Sequence, residues 1–290
     1  MTLEQLAIFV AVAEREHLTQ GAAAIGLTPS AASAAIKALE ATHQVDLFHR
    51  VGRRIELTRA GLMFLAEARR MLASAEQARN LLSELGGLRT GQLEIEASQT
   101  IANYWLPARL MRFRTLYPGI SVAFRVGNSA GVAQAVLSGR AELGFIEGGV
   151  NEPALAATAL YSDELVAVVS SRLPGGATAR LEEMDWVMRE PGSGTRAEFE
   201  AALAAIGVAP AQLHTALTLP TNEAVLSAVR GGACVAALSR LVVEPFLVSG
   251  ELVVHERVLA RRDFTLLRHK ERRLSAAAAA FARLCREQPD

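Results

Sequence analysis

The sequence predicts an α/β protein in three parts: a helix-rich winged helix-turn-helix head, a long linker helix and two α/β lobes. Three observations predict it. Apolar residues recur at helical spacing from Leu3 to Leu39, with capping residues between the repeats. One long helical pattern follows Thr58. From Gln92 onward, short apolar strands alternate with helical stretches, which is βαβ organisation. The expected parts are a head at 1–60, a linker helix at 58–85, a hinge at 86–91 and a two-lobed domain at 92–290.

The totals exclude several classes. The chain has 290 residues, 51% hydrophobic and 21% charged, which is globular composition with room for more than one core. Lys+Arg and Asp+Glu are equal at 30 each, so any pull on nucleic acid has to come from a local patch. Met1–Gln5 lacks the charged start and apolar core of a leader, and no run reaches the ~18 apolar residues of a membrane span. A cytoplasmic protein without membrane contact is expected. Cys234 and Cys285 stand alone, with no C-x-x-C and no histidine at ligand spacing, which predicts buried thiols and no metal.

In the head, Leu3, Leu6, Phe9, Val10 and Ala13 place a first helix up to about Arg15. Thr19 is positioned to cap a second, short helix through Ile25, where Gly21 and three alanines allow close packing and Gly26 suits a left-handed stop. Thr28 caps a third helix with Pro29 in its first turn, running to about Thr42. Ala32, Ala35, Ile36 and Leu39 share its inward face. Thr28, Pro29, Ser30, Ala31, Ser33, Ala34 and Lys37 are left to the outer side. Small and hydroxylated residues there let a helix sink into a groove, with hydroxyls reaching base edges or phosphates and alanines touching thymine methyls. An ordinary solvent face of a helical bundle has the same composition.

The next segment separates the two readings. Leu47 to Leu57 reads as two short strands around Gly52, and Arg50, Arg53, Arg54 and Arg59 face a single acid, Glu56. Over residues 1–60 as a whole the charges balance, so the positive charge is concentrated on this wing, where it would meet phosphates. Double-stranded promoter DNA is the expected partner.

The runs Phe9-Val10-Ala11-Val12-Ala13-Glu14, Ala22-Ala23, Leu27-Thr28-Pro29-Ser30-Ala31-Ala32-Ser33, Ile36…Leu39-Glu40, Leu47-Phe48…Arg50 and Leu57-Thr58…Gly61 together resemble the signature of LysR-type transcriptional regulators. Pro29 stands where such proteins often carry glutamine, and His43-Gln44 follows the third helix where a Leu-Gly pair is usual. The resemblance implies two Rossmann-like lobes, similar to periplasmic solute-binding proteins, with a small-molecule effector in their cleft. It also implies a homodimer formed through the linker helix and assembled into a homotetramer.

Thr58 is placed to cap that linker helix. Leu65, Ala68, Leu72, Ala75 and Leu82 form a narrow seam suited to a partner helix. In the lobes, strands are expected at Leu93–Ala97, Ile120–Val126, Leu143–Ile146, Leu165–Val169, Trp186–Met188, Ala216–Leu219 and Val235–Leu238, with single helices at Ile101–Leu116 and Ser129–Leu137. The chain is expected to return to the first lobe near Leu238–Phe246 and to end in a helix at Ala276–Leu284.

Ligands of open α/β domains lie beyond the carboxyl ends of strands. Ser98, Gln99 and Thr100 follow the first strand, Asn128 precedes Ser129 at the second helix, Glu147 follows the third strand, and Thr221, Asn222 and Glu223 open a helix of the second lobe. The fullest candidate is Glu190-Pro191-Gly192-Ser193-Gly194-Thr195-Arg196. Gly192 and Gly194 let several N–H groups converge, with Ser193, Thr195 and Arg196 completing a nest for an anion. A plain turn with a helix cap is the alternative. Similar runs border the effector cleft in LysR-type regulators of carbon fixation and sulfur metabolism, so the resemblance implies a small oxyanion such as sulfite, an organic phosphate or a carboxylate.

No cofactor and no catalysis are expected. Ser193 lies in Gly-Ser-Gly and not in a nucleophile elbow, and the six histidines show no metal spacing. His255 and His269 are expected on polar strand edges, and the basic run from Arg261 to Arg273 on a solvated face or subunit contact. A stand-alone solute-binding protein is the second reading of the lobes, set back by the missing export leader.

Overall fold

The computed structural model describes residues 1–51, 54–85, 90–176, 178–180 and 183–287. Two compact units emerge, one of residues 1–82 with 138–140, the other of the remaining chain.

In the first unit, α1 (Leu3–Ala13) opens with a reciprocal box: Gln5 N donates to Thr2 Oγ1, and Thr2 N donates to Gln5 Oε1. α2 (Leu18–Ala24) is capped by His17 and not by Thr19. Glu16 takes a left-handed turn that leaves His17 extended, so its Nδ1 accepts from Gln20 N while Thr19 falls inside the first turn. Gly21 is required here, because a Cβ would lie 2.6 Å from Val12 Cα on the helix beneath. α3 (Pro29–His43) ends on a left-handed Gln44, which does the work of the usual C-terminal glycine. Glu40 accepts from Leu47 N and Phe48 N at 2.8 and 3.2 Å, tying α3 to the hairpin β1 (Phe48–Val51) and β2 (Arg54–Leu57).

α4 (Arg59–Leu85) starts over Thr58, whose hydroxyl accepts from Gly61 N. Its seam is used differently from the expectation at the near end. Leu65 and Ala68 are buried, with Leu72 packed beside them, against Leu6, Phe9, Ala13, Leu39 and Leu47 of the same head. The head's three short helices leave Phe9 and Leu39 uncovered, and this turn of α4 closes over them. Leu62 and Met63, by contrast, are 59% and 69% exposed. Of the expected hinge, residues 86–89 lie outside the described residues, and Gly91 begins the first strand of the second unit.

That unit is one eight-stranded sheet divided into two lobes. β3 (Gly91–Ser98), β4 (Ile120–Gly127) and β5 (Leu143–Glu147) run parallel in the first lobe. β7 (Asp185–Arg189), β8 (His214–Leu219) and β9 (Val235–Ser239) run parallel in the second. Two long antiparallel strands, β6 (Leu155–Ser170) and β10 (Leu252–His269), pass through both lobes and give the order β4-β3-β5-β10-β6-β9-β7-β8. β10 is antiparallel to β5 and β6 is antiparallel to β9, so the carboxyl ends of the two parallel sets point at each other. Helices cover both faces of each lobe. Phe113, Phe145, Phe264 and Phe281 fill one side of the first lobe, and Val132, Val136 and Leu267 the other. Trp186 packs on Phe199 on one side of the second lobe, with Val225, Val229 and Val243 opposite.

Three departures from the expected elements have physical causes. The helix expected at Ile101–Leu116 is two, α5 (Gln99–Tyr104) and α6 (Leu106–Leu116). They break at Trp105, two residues before Pro107, whose missing N–H cannot continue the ladder of α5, and the Trp105 ring turns onto Phe145 and Phe264. Residues Arg240–Val248 form a helix, α10, capped by Ser239 and burying Val242 and Val243, and so do not return the chain. The return is β10, hidden in the sequence by its charges. The remaining helices are α7 (Ser129–Ser138), α8 (Gly194–Ala205), α9 (Asn222–Gly231) and α11 (Ala276–Arg286).

Candidate DNA-binding face and interlobe site

On α3, Ala32, Ile36 and Leu39 are buried, while Thr28, Pro29, Ser30, Ala31, Ala34 and Lys37 are exposed and Ser33 is half-buried. The cap holds the leading edge: Thr28 Oγ1 accepts from Ala31 N at 3.3 Å and lies 3.1 Å from Ser30 Oγ. The helix therefore presents only small, hydroxylated or cationic side chains outward. In the wing, Arg50 pairs with Ile55 and Arg54 with Val51 in register, while Arg53 lies outside the described residues.

In the second unit, most of the anticipated ligand residues come together where the strand ends face each other. Ser98, Thr100, Glu147, Ser193, Thr195 and Asn222 are all buried. Asn222 Nδ2 donates to Thr100 Oγ1 at 2.9 Å, Asn222 N donates to Gln99 Oε1 at 2.6 Å, and Asn222 Oδ1 accepts from Arg189. Glu223 is a latch across the lobes, accepting from Gln99 Nε2 at 2.9 Å, Asn103 Nδ2 at 3.0 Å and the Tyr104 hydroxyl at 3.2 Å. Burial and this carboxylate together push the Tyr104 pKa up to about 12. Thr221 caps α9 through Ala224 N.

On the other side of the site, Gly192 has φ +88 and its carbonyl accepts from Ala130 N at 3.2 Å. Asn128 Nδ2 reaches Glu190 Oε1 at 3.5 Å. A Cβ on Gly194 would meet Ser129 Oγ and lie 2.8 Å from Glu147 Oε2, so the glycine allows the start of α8 to close on the first lobe. Arg196 is held by Glu200 at 2.7 Å and by the Arg189 carbonyl, the i,i+4 geometry of a helix flank.

The guanidinium inside the cluster is Arg262. It was expected on a solvated face, yet it is 3% exposed. Its Nε donates to Asp163 Oδ2 at 3.0 Å and its Nη1 to Thr195 Oγ1 at 3.0 Å. Ser239 Oγ completes Asp163 at 2.8 Å. Burial raises the Asp163 pKa, and Arg262 and Ser239 pull against it. Arg262 Nη2 is buried with no hydrogen-bond partner among the described residues. Burial pushes the Glu147 pKa up, but Arg262 and the hydroxyls of Thr100, Ser98 and Ser129 outweigh it and hold the carboxyl below its ordinary range. The rest of the basic run divides. Arg261 is exposed beside Glu164, and Arg272 donates to the Val136 and Leu137 carbonyls. His255 is likewise buried, with Nε2 2.7 Å from the Ala179 carbonyl. Sequence reasoning missed Arg262 and Asp163 because only the β6–β10 register pairs them; each lies among charged or polar neighbours, Ser162-Asp163-Glu164 and Arg261-Arg262-Asp263, and no local signal marked it as buried.

Among the described residues, no group of three or more His, Cys, Asp or Glu could hold a metal, and no single helix is long and apolar enough to cross a membrane.

A small-residue helix face on a winged head, joined in one chain to a two-lobed domain with a buried polar centre, defines a ligand-responsive DNA-binding protein. The chain belongs to the LysR family: residues 3–62 match the bacterial regulatory helix-turn-helix protein, lysR family, and residues 86–290 match the LysR substrate binding domain. It is 36% identical over 291 residues to the uncharacterized HTH-type transcriptional regulator YeiE of Escherichia coli K12, covering 98% of this chain and 97% of that protein. It is 30% identical to a RuBisCO operon transcriptional regulator of Allochromatium vinosum, covering 97% and 94%. Among solved structures, CbnR complexed with its target DNA superposes with a TM-score of 0.68 at 21% identity, covering 99% of each chain. The regulatory domain of Synechocystis CcmR in complex with 2-PG superposes with a TM-score of 0.61 at 22% identity, covering 68% of this chain and 96% of that one. The protein is therefore a DNA-binding transcriptional regulator with an effector-binding domain, and not an enzyme.

Proposed function

We propose that this regulator binds promoter DNA through α3 and its wing, and that a small anion seated between the two lobes sets its activity. Thr28, Pro29, Ser30, Ala31, Ser33 and Ala34 read the major groove, and Lys37, Arg50, Arg53 and Arg54 meet phosphates. The anion is held by Ser98, Thr100, Ser193 and Thr195, with Arg262 as counter-charge. Gln99, Asn128, Gly192, Gly194, Asn222 and Glu223 shape and close the site. A protein that reads chromosomal DNA in this way works in the cytoplasm, as a homodimer joined through α4 and paired into a homotetramer on two half-sites.

The observation that carries the ligand site is the buried, unsatisfied donor Arg262 Nη2, where four strand ends converge. Buried polar groups are nearly always satisfied, so such a donor marks a place for another acceptor. CcmR, of the same fold, has a structure with 2-PG, and CbnR has one with its target DNA, which supports both halves of the reading. The test is a thermal-shift screen of small anions on the full chain, since a ligand that binds the folded state raises apparent stability by mass action. Ser98→Ala/Thr100→Ala and Ser193→Ala are then titrated with each hit. Loss of the shift with effector-free DNA binding retained supports the site; unchanged affinity in both variants removes the ligand from it.

A further inference from the structure

The interlobe centre holds a feature that a general anion site would avoid. Glu147 ends β5 at 4% exposure, and its Oε2 accepts from Ser129 Oγ at 2.8 Å. The start of α8 lies so close that a Cβ on Gly194 would fall 2.8 Å from the same oxygen. The charged groups acting at this point come from three other elements: Arg262 of β10, Asp163 of β6 and Glu198 of α8. Arg262 is already committed to Asp163 and Thr195 through two of its nitrogens, so a single guanidinium stands between two buried carboxylates. The unsatisfied donor Arg262 Nη2 shares this centre with a carboxylate that takes the hydroxyls of Ser129, Ser98 and Thr100 and still has acceptor capacity, a carboxylate offering about four lone-pair sites.

An ionised carboxylate accepts hydrogen bonds and cannot donate one. A fully deprotonated oxyanion brought against Glu147 would set lone pair against lone pair between like charges in a dry site, where Coulomb repulsion is strong. An oxyanion that still carries a hydrogen turns the same contact into a short charge-assisted O–H···O bond, while its other oxygens accept from Arg262 and the hydroxyls. We propose that Glu147 selects the effector, admitting an oxyanion that bears a hydrogen, such as monohydrogen phosphate or the monoprotonated form of a phosphate monoester, and rejecting a fully ionised isostere such as sulfate. This rests on the reading of the interlobe cluster as an anion site. It adds an acceptor to a set otherwise made of donors, and so narrows the ligand class from small anions to hydrogen-bearing ones.

The experiment compares inorganic phosphate with sulfate, two tetrahedral anions of nearly equal size that differ at neutral pH in carrying a hydrogen. Calorimetric titrations of the full chain at pH 7 and equal ionic strength are expected to show phosphate binding at least ~100-fold more tightly, a floor below the ~10⁴-fold or more by which sites built for a ligand hydroxyl reject analogues lacking it. Glu147→Gln, whose amide can donate, is expected to gain sulfate affinity until the preference falls to within a few-fold. Glu147→Ala serves as a second variant, and circular dichroism confirms that both fold. Equal affinity of the parent for the two anions, or a preference that survives in Glu147→Gln, overturns selection by Glu147 and leaves the anion site standing. Binding of neither anion to the parent or to either variant overturns both.

Discussion

Replacing Arg262 by methionine strands a charge that the fold buries on purpose. In the native protein the Asp163–Arg262 pair is sealed, at 1% and 0% side-chain exposure, and among the described residues Ser239 is the other side-chain partner of Asp163. Methionine matches the volume of the stem but leaves Asp163, its direct partner, and the nearby Glu147 without their shared counter-charge. Breaking a buried pair on one side costs about 3–5 kcal/mol. With a urea dependence of about 2.5 kcal/mol per molar, the unfolding midpoint should fall by about 1.2–2 M. The assay is direct, because Trp105 and Trp186 are the chain's only tryptophans, both buried in the second unit, and their fluorescence reports that unit alone. Asp163→Asn in the same chain removes one of the two carboxylates left without Arg262, the other being Glu147, and should recover part of the loss.

The sign of the pH dependence follows from the same pair. Burial already raises the Asp163 pKa in the native protein, and losing Arg262 raises it further. A carboxyl whose folded pKa lies above its unfolded value near ~3.9 contributes stability at low pH and loses it as pH rises through the folded pKa. The deficit of Arg262→Met should therefore be small near pH 4 and full at pH 7. A midpoint shift below about 0.4 M at pH 7, or a double variant as weak as the single one, would refute the reasoning.

Three other outcomes are expected. Glu223→Gln removes the negative charge of the interlobe latch, so the Tyr104 pKa should fall from about 12 part of the way to its ordinary value, burial keeping the rest, as followed by ultraviolet absorbance titration; an unchanged titration would separate Tyr104 from Glu223 in solution. Gly21→Ala drives a Cβ to 2.6 Å from Val12 Cα and should destabilise the head by about 1–3 kcal/mol, with DNA binding lost in gel shifts at temperatures where the parent binds. Arg53→Ala should weaken binding to every sequence alike and lower the salt slope by about 0.9, whereas Ser30→Ala/Ser33→Ala should re-rank operator variants; a double variant that ranks them as the parent does would remove α3 from base recognition.

The head was legible almost residue by residue, because its structure is local. Thr28 caps the helix it precedes, Gly26 takes φ +70 where a left-handed stop was expected, and the inward face of α3 is the one its period dictates. Such features depend on neighbours within four residues, which is the range that spacing can report. The strands of the lobes were found for the same reason where they carry an unbroken apolar run, as in Leu143 to Ile146 of β5 and Val235 to Leu238 of β9. β10 was not, because Arg261-Arg262-Asp263 reads as a solvated turn until a partner strand is known.

By itself, then, the sequence determined the order of parts, the outward face of α3 and the candidate ligand segments Ser98–Thr100, Gly192–Thr195 and Thr221–Glu223. Tertiary structure alone decided how those segments are used. It placed Glu223 in a latch on Gln99, Asn103 and Tyr104, turned Arg196 to Glu200, and brought Arg262 into the centre opposite Glu147. Asp163 and Arg262 are 99 residues apart in the chain and meet only through the antiparallel register of two strands that cross both lobes. A charge can be buried only where a distant partner offsets its lost hydration, and no local pattern records where that partner will be.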